Sequence, residues 1–284
     1  MEKKILIPTN FSKHVWHALI VAMQLYHKHP CTFYLLNVYS SPGFLGESLP
    51  LNRNEESQDS AREISEKGLD RIMKGLSFRQ ENARHSFETI SYQGNLIEGI
   101  QEQIEKLGID LVILGAAGES SRISASYDSK ISSITEEVEQ CPVFIIPEEK
   151  DLNASSGTEI VFPSNFRIPF KQKELEALLE LANNLKASVR VLYINSEDKP
   201  LTSEQEENKA DLARLLEDIN FSFHTLTQTS PTVGVHLFLQ SRESEILALY
   251  QRKQGFFSRL FHKTRLDDID FDPKLPVLVL KEFQ

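Results

Sequence analysis

The residues with the clearest chemical potential are two glycines that follow a short apolar run. Residues 111–114 read Leu-Val-Ile-Leu, and Gly115 and Gly118 come directly after them. A run of this length that ends at a turn signal is typical of a strand buried on both faces of a parallel sheet. Open α/β sheets bind their ligands beyond the carboxyl ends of such strands. The sequence therefore predicts that binding chemistry lies at this turn.

Other reactive residue types give weaker patterns. His14 and His17 lie one helical turn apart, but no third ligand has a metal-site spacing, which favours a solvated helix face. Cys141 precedes a proline at a strand entrance, where a small buried apolar role is favoured over a thiolate nucleophile. No Ser-His-Asp spacing, nucleophile elbow or carboxylate pair indicates covalent or acid–base catalysis. We expect a binding protein and not a dedicated enzyme.

The elements that would position the glycine turn alternate between strands and helices. Apolar runs and alternation predict strands at residues 4–8, 31–38, 85–92, 110–114 and 143–146. Helical spacing predicts helices at residues 13–27, at 59–76, between Asn95 and Gly108, and around Ile131 and Val138, with a loop at 40–58. This alternation predicts a parallel, doubly wound sheet.

The second half of the chain repeats the first. Residues 160–166 repeat residues 5–11 almost in register, and residues 275–280 mirror residues 141–146. Residues 151–158 have the composition of a linker. We therefore expect two domains, at residues 1–150 and 158–284. The second copy lacks the glycine turn, because Tyr-Gln-Arg-Lys-Gln follows Leu249.

Composition excludes several classes of protein. The chain has 284 residues, 40% of them hydrophobic, and a formal net charge of −10, which argues against nucleic acid as a partner. Two cysteines fit a reducing compartment and provide no disulfide framework. No apolar stretch approaches the roughly 18 residues of a membrane span, and residues 1–11 do not resemble a signal peptide. We expect a soluble, cytoplasmic protein without a membrane partner.

Residues 252–265 form the one basic patch of this acidic chain, and they also carry Phe256, Phe257, Leu260 and Phe261. Two interpretations stay open. The patch could take an anion, a nucleotide phosphate or an acidic lipid surface. Alternatively, the aromatic residues form the inward stripe of a short helix that replaces the lost loop.

The chain as a whole resembles the universal stress protein family in its tandem two-domain form. The resemblance rests on residues 5–12, 35–39, 110–118 and 141–147, and on their second-half counterparts. It implies two tandem, Rossmann-like, five-stranded parallel sheets of strand order 3-2-1-4-5 that pack as an internal pseudo-dimer through their last strands. Single-domain members of the family commonly dimerise, so association of two chains stays open.

The resemblance also implies a candidate ligand, because some members of the family bind ATP. Their motif is G-x-x-G, nine residues, then G-S or G-T. Gly115 and Gly118 match its first part, whereas the last part reads Asp128-Ser129, so one glycine is replaced and the serine is kept. Asn10 stands where the family usually has an acidic residue, and Val38 matches the position whose backbone reads adenine.

The substitution at Asp128 weakens the expected phosphate site. Glycines there let backbone N–H groups approach phosphates, next to the positive end of a helix. One like-charge pair at about 4 Å costs about 4 kcal/mol at an effective dielectric near 20, about half the free energy of a micromolar complex. An alternative is that Asp128 or Ser129 simply caps the helix that follows.

Three hypotheses follow. In the first, one adenine nucleotide binds in the first half and alters partner contacts; it would contact Thr9, Asn10, Val38, Gly115, Gly118 and Ser129. In the second, which we favour, the protein is a regulatory or interaction protein of the stress response that has lost nucleotide binding or retains it weakly. In the third, which has least support, the protein is a slow ATPase.

Overall fold

The computed structural model describes residues 2–40, 55–79, 82–117, 129–148, 150–152, 157–252 and 275–282. In the first half, strands and helices alternate along the chain. They are β1 (Lys3–Pro8), α1 (Lys13–Leu25), β2 (Cys31–Tyr39), α2 (Glu55–Ser77), β3 (His85–Gln93), α3 (Leu96–Leu107), β4 (Leu111–Ala116), α4 (Ser129–Glu137) and β5 (Val143–Pro147).

The second half follows the same order. Its elements are β6 (Glu159–Pro163), α5 (Gln172–Leu185), β7 (Ser188–Asn195), α6 (Ser203–Leu215), β8 (Phe221–Thr227), α7 (Pro231–Arg242), β9 (Ile246–Gln251) and β10 (Val277–Lys281). Residues 253–274, which include most of the basic patch, lie outside the described residues.

The described strands form one ten-stranded sheet of order β3-β2-β1-β4-β5-β10-β9-β6-β7-β8. Each half therefore has the strand order 3-2-1-4-5, with parallel pairing throughout. The last strands of the two halves, β5 and β10, pair antiparallel, with Leu278 opposite Phe144. These findings confirm the predicted fold class, a tandem doubly wound pair of parallel sheets joined as an internal pseudo-dimer.

Two hydrophobic clusters cover opposite faces of this sheet. Helices α1, α2 and α5 pack on the face that carries Ile5, Ile7 and Leu35. Helices α3, α4 and α7 pack on the other face, which carries Leu6 and Leu36. Because alternate residues of β1 enter different clusters, the strand is buried on both sides, as its continuous apolar run predicts.

The termini of α3 show how closely local sequence determines the structure. The side chain of Asn95 accepts a hydrogen bond from the backbone N–H of Ile97 at 2.8 Å. Gly108 ends the helix with φ 66°, a left-handed conformation that glycine adopts without strain. Both ends agree with the prediction, and Ile100 and Ile104 are buried as expected.

One predicted boundary was wrong. Helix α2 begins at Glu55, inside the stretch predicted as a loop. Ser12 precedes α1 but makes no side-chain capping bond; its hydroxyl instead bonds Asn10 and His14. The bonds of Ser12 show that neighbouring polar side chains compete for a capping hydroxyl, which helical periodicity does not register.

No helix among the described residues is long and apolar enough to cross a membrane.

Candidate functional site at the carboxyl edge of the sheet

The turn after β1 brings two of the predicted site residues to the carboxyl edge of the sheet. Thr9 is buried, and its hydroxyl oxygen accepts a hydrogen bond from the N–H of Phe11 at 3.0 Å. Asn10 is exposed, but its side-chain oxygen accepts from the N–H of Ser12 at 3.2 Å and from the Ser12 hydroxyl at 2.5 Å. The acceptors of both side chains are therefore bonded within the turn itself.

Phe11 fixes the shape of this turn. Its φ is 64°, a left-handed conformation that costs a residue other than glycine about 1–3 kcal/mol. The same conformation recurs at Phe166 in the second half, with φ 54°. There, the hydroxyl of Ser164 accepts from the N–H of Phe166 at 3.2 Å. The turn is thus a repeated structural unit that does not require a ligand.

The backbone of Val38 faces the same edge. Pro8 pairs with Leu36, and the N–H of Thr9 donates to the Leu36 carbonyl at 2.7 Å. Residues two apart in a strand direct their backbone groups to the same side. Val38 therefore directs its backbone groups past the end of β1, where the family's adenine contact is expected. This feature favours a ligand cleft.

Gly115 has a packing role independent of any ligand. A Cβ atom on Gly115 would lie 2.5 Å from the carbonyl oxygen of His14 and 2.7 Å from the Cα of Val15. Because those distances are too short for any side chain, only glycine lets β4 and the first turn of α1 approach this closely. The glycine that matches the nucleotide motif is thus required by the fold.

The remaining motif residues follow β4 in the sequence. Gly118 and Asp128 lie outside the described residues. Ser129 begins α4, as the capping interpretation expects of this boundary, but its side chain is not described. Of the six predicted site residues, Thr9, Asn10, Val38 and Gly115 therefore come together at the carboxyl ends of β1, β2 and β4.

The second half replaces the critical glycine with a bulky residue. Strand register places Tyr250 of β9 where β4 has Gly115. Tyr250 is buried, its ring lies 4.9 Å from that of Phe170, and the guanidinium of Arg252 lies 5.0 Å from its centre. The segment between Phe166 and α5 is four residues longer than the segment between Phe11 and α1, and Phe170 lies in it. The side chain of Tyr250 thus fills space beside β9, whereas Gly115 lets β4 and α1 meet directly in the first half.

A cavity of about 660 Å³ nevertheless opens at the carboxyl ends of β6 and β7. Its lining includes Asn165, Asn195 and Thr202. Their polar groups are already engaged: Asn195 bonds the carbonyl of Lys199 at 2.7 Å, and the Thr202 hydroxyl accepts from the N–H of Gln205 at 3.2 Å. Sequence reasoning missed this cavity; the one signal for it was the repeat of the turn at residues 164–166.

His17 and Cys141 make contacts within the fold that explain their positions without a metal or a reaction. The ring of His17 bonds the backbone carbonyl of Lys150 at 3.0 Å, so the expectation of a solvated helix face was wrong. Cys141 is 1% exposed, which confirms its expected buried position, and burial raises the pKa of its thiol to about 12. The described residues include no cluster of three or more histidine, cysteine or acidic side chains that could hold a metal ion.

Comparisons with known proteins agree with this fold. The family model described as Universal stress protein family matches residues 1–147. A universal stress protein from Archaeoglobus fulgidus has 15% identity and a TM-score of 0.66 over 98% of this chain and 96% of its own. The cytoplasmic domain of a prokaryotic cation chloride cotransporter has 13% identity and a TM-score of 0.50 over 99% of this chain and 96% of its own. None of the curated sequences compared with the chain matches it.

Proposed function

Because the chain belongs to the universal stress protein family, we propose that it is a regulatory or interaction protein of the stress response in which nucleotide binding is weak or lost. Residues 1–150 form a domain with a partial nucleotide motif, and residues 158–284 form a degenerate second domain. The protein acts in the cytoplasm, without catalysing a reaction and through partners that recognise its surface.

The turn after β1 carries the proposal. The side-chain oxygen of Asn10 accepts two hydrogen bonds from Ser12, and the hydroxyl oxygen of Thr9 accepts from Phe11. The carbonyl of Thr9 accepts from the side chain of Asn37 at 2.6 Å. A ribose or adenine would have to compete with these bonds, of which the bond between Asn37 and Thr9 is buried; the loss of that bond without replacement would cost about 1–3 kcal/mol.

The glycine that survives does not argue for nucleotide. Gly115 is needed wherever α1 packs this closely on β4, so its presence is expected with or without phosphate binding. The second half has Tyr250 at that position, which prevents the backbone from approaching a phosphate there. Asp128 adds a negative charge to the motif, as the sequence alone indicates.

The alternative is an adenine-nucleotide sensor that uses the first-half cleft. The orientation of the Val38 backbone supports it, and Thr9, Asn10, Gly115, Gly118 and Ser129 would complete the site. ATP would then be the ligand. A slow ATPase needs, in addition, a residue that orients an attacking water, and no described residue at this edge has that evident role.

Isothermal titration of the full chain with ATP, with and without Mg²⁺, distinguishes these functions. The wild-type protein and Asp128→Gly are titrated in parallel. Asp198→Gly serves as the matched control, because it also removes an aspartate and its φ of 52° suits glycine. We expect no saturable binding by the wild type or the control.

Each result has a defined meaning. Binding by Asp128→Gly alone would identify a nucleotide cleft disabled by one charge, in agreement with the proposal. Micromolar binding by the wild type would refute the proposal in favour of the sensor. If no protein binds ATP, the function resides in surfaces or in another ligand, as the proposal also holds.

A further inference from the structure

A second cavity lies on the other side of α1 from Gly115, between α1 and α2. Its volume is about 380 Å³, within the roughly 300–1,000 Å³ range of small-molecule sites. Ile7 and Leu35 of the sheet form its floor, and Leu19, Trp16 and Ile72 of the two helices form its walls. Ile7, Leu19 and Leu35 are 0–1% exposed, so the apolar surface that a ligand reaches belongs to Phe11, Trp16 and Ile72, which are only partly buried.

Two glycines of α2 define the ends of this cavity. A Cβ atom on Gly68 would lie 2.2 Å from the ring of Phe11, and one on Gly75 would lie 2.9 Å from the ring of Trp16. The two aromatic rings therefore rest on bare helix backbone seven residues apart, about 10.5 Å along the helix axis. The space between them is elongated and bounded by an aromatic ring at each end.

The charges at the rim of the cavity have one sign. Lys13 and Arg71 are exposed residues of its lining, and the described lining contains no aspartate or glutamate. Neither cation forms an ion pair with a described carboxylate; Arg71 makes only a long 3.4 Å bond to the carbonyl of Lys67. In a chain of net charge −10, two unpaired cations beside an apolar cavity favour an anionic head group.

We propose that this cavity binds a medium-chain fatty acid. The alkyl chain packs against Ile72 between the rings of Phe11 and Trp16, and the carboxylate pairs with Lys13 and Arg71. The site shares Thr9 and Ser12 of the β1 turn with the edge of the candidate nucleotide cleft, but it lies on the opposite face of the sheet from the side chain of Val38. It would give the protein a ligand of a different chemical class from ATP.

The single tryptophan of the chain lines this cavity, so its fluorescence reports occupancy. We would titrate the full chain with decanoate, decanol and butyrate and follow the emission of Trp16. The proposal predicts a saturable change with decanoate. Decanol, which lacks the charge, should bind at least about tenfold more weakly, since hydrogen bonds to charged groups are among the strong ones. Butyrate, which lacks the chain length, should give no saturable change.

Two variants and one control test the assigned contacts. Replacement of both Lys13 and Arg71 by alanine should weaken decanoate binding at least about tenfold, whereas Lys74→Ala, an exposed lysine of the same helix outside the lining, should leave it unchanged. Ile72→Phe fills the cavity and should abolish the response; circular dichroism would show that this variant is folded. Because Lys13 and Arg71 are exposed, their double variant is expected to fold even if Ile72→Phe does not.

Three results would overturn the proposal. One is the absence of a saturable response to decanoate. Another is equal affinity for decanoate and decanol, which would indicate that the alkyl chain binds apolar surface without recognition of the carboxylate. The third is unchanged affinity in the Lys13/Arg71 double variant.

Discussion

Replacement of Lys281 by methionine should remove a pH dependence from the stability of the protein. Lys281 ends β10, and its side chain is 2% exposed. Its amine donates to the backbone carbonyl of Thr135, near the carboxyl end of α4, and to the side-chain oxygen of Gln251 at 2.7 Å. The lysine thus connects the last strand of the second half to a helix of the first.

Burial determines the size of the effect. It lowers the pKa of Lys281 from its ordinary value of 10.5 to about 8, and the negative groups nearby only partly oppose it. At about 1.4 kcal/mol per pKa unit, the folded state is destabilised by about 3 kcal/mol below pH 8. Between pH 8 and 10.5 the unfolded state binds more protons, so stability rises with pH in that window.

Urea unfolding at several pH values between 7 and 9.5 would measure this. Over that range the free energy of unfolding of the wild type should rise by about 2 kcal/mol relative to Lys281→Met. The difference between the two proteins removes the contributions of the other titrating groups. The control Lys74→Met changes an exposed lysine, so its free energy of unfolding should depend on pH as that of the wild type does. Parallel curves for the wild type and Lys281→Met would refute the reasoning, because they would mean that burial does not disfavour the charged amine.

Two further substitutions test other contacts. Glu159 bonds Arg190 at 2.7 Å and Arg242 at 2.6 Å, and these arginines lower its pKa to about 2. Its contribution is fully present above pH 4.5 and is lost as the pH falls towards 2, so Glu159→Gln should destabilise the protein by about 2–3 kcal/mol at pH 7. Glu197→Gln, in an exposed ion pair, is the control and should have almost no effect on urea unfolding. Gly115→Ala should destabilise the protein without any ligand, by about 1–3 kcal/mol, because its methyl group would meet the backbone of α1; unaltered stability would show that Gly115 is not needed for packing.

Much of the fold could be predicted because its signals are local. The apolar runs of β4 and β10 are short and bounded by turns, and Asn95 and Gly108 mark the ends of α3 in the sequence itself. The duplication of residues 5–11 also predicted that both halves would share one strand order. Such signals need no knowledge of which residues meet across the molecule.

The roles of individual site residues depend on contacts between distant segments. Gly115 resembles a ligand-binding glycine until the backbone of His14 is placed beside it. Gly68 and Gly75 are unremarkable in the sequence, since the rings of Phe11 and Trp16 reach them only in the folded chain. Lys281, near the end of the printed sequence, has the appearance of a surface lysine, yet β10 buries it against α4.

The most direct test of the proposed function is the thermal unfolding of the wild type with about 1 mM ATP and Mg²⁺, compared with tripolyphosphate and Mg²⁺. A micromolar site would be occupied at about 1,000 times its Kd and would stabilise the protein by about 4 kcal/mol, which corresponds to a rise of several degrees in Tm. We predict that ATP raises Tm no more than tripolyphosphate does. A rise of several degrees specific to ATP would contradict the account and identify the protein as a nucleotide sensor.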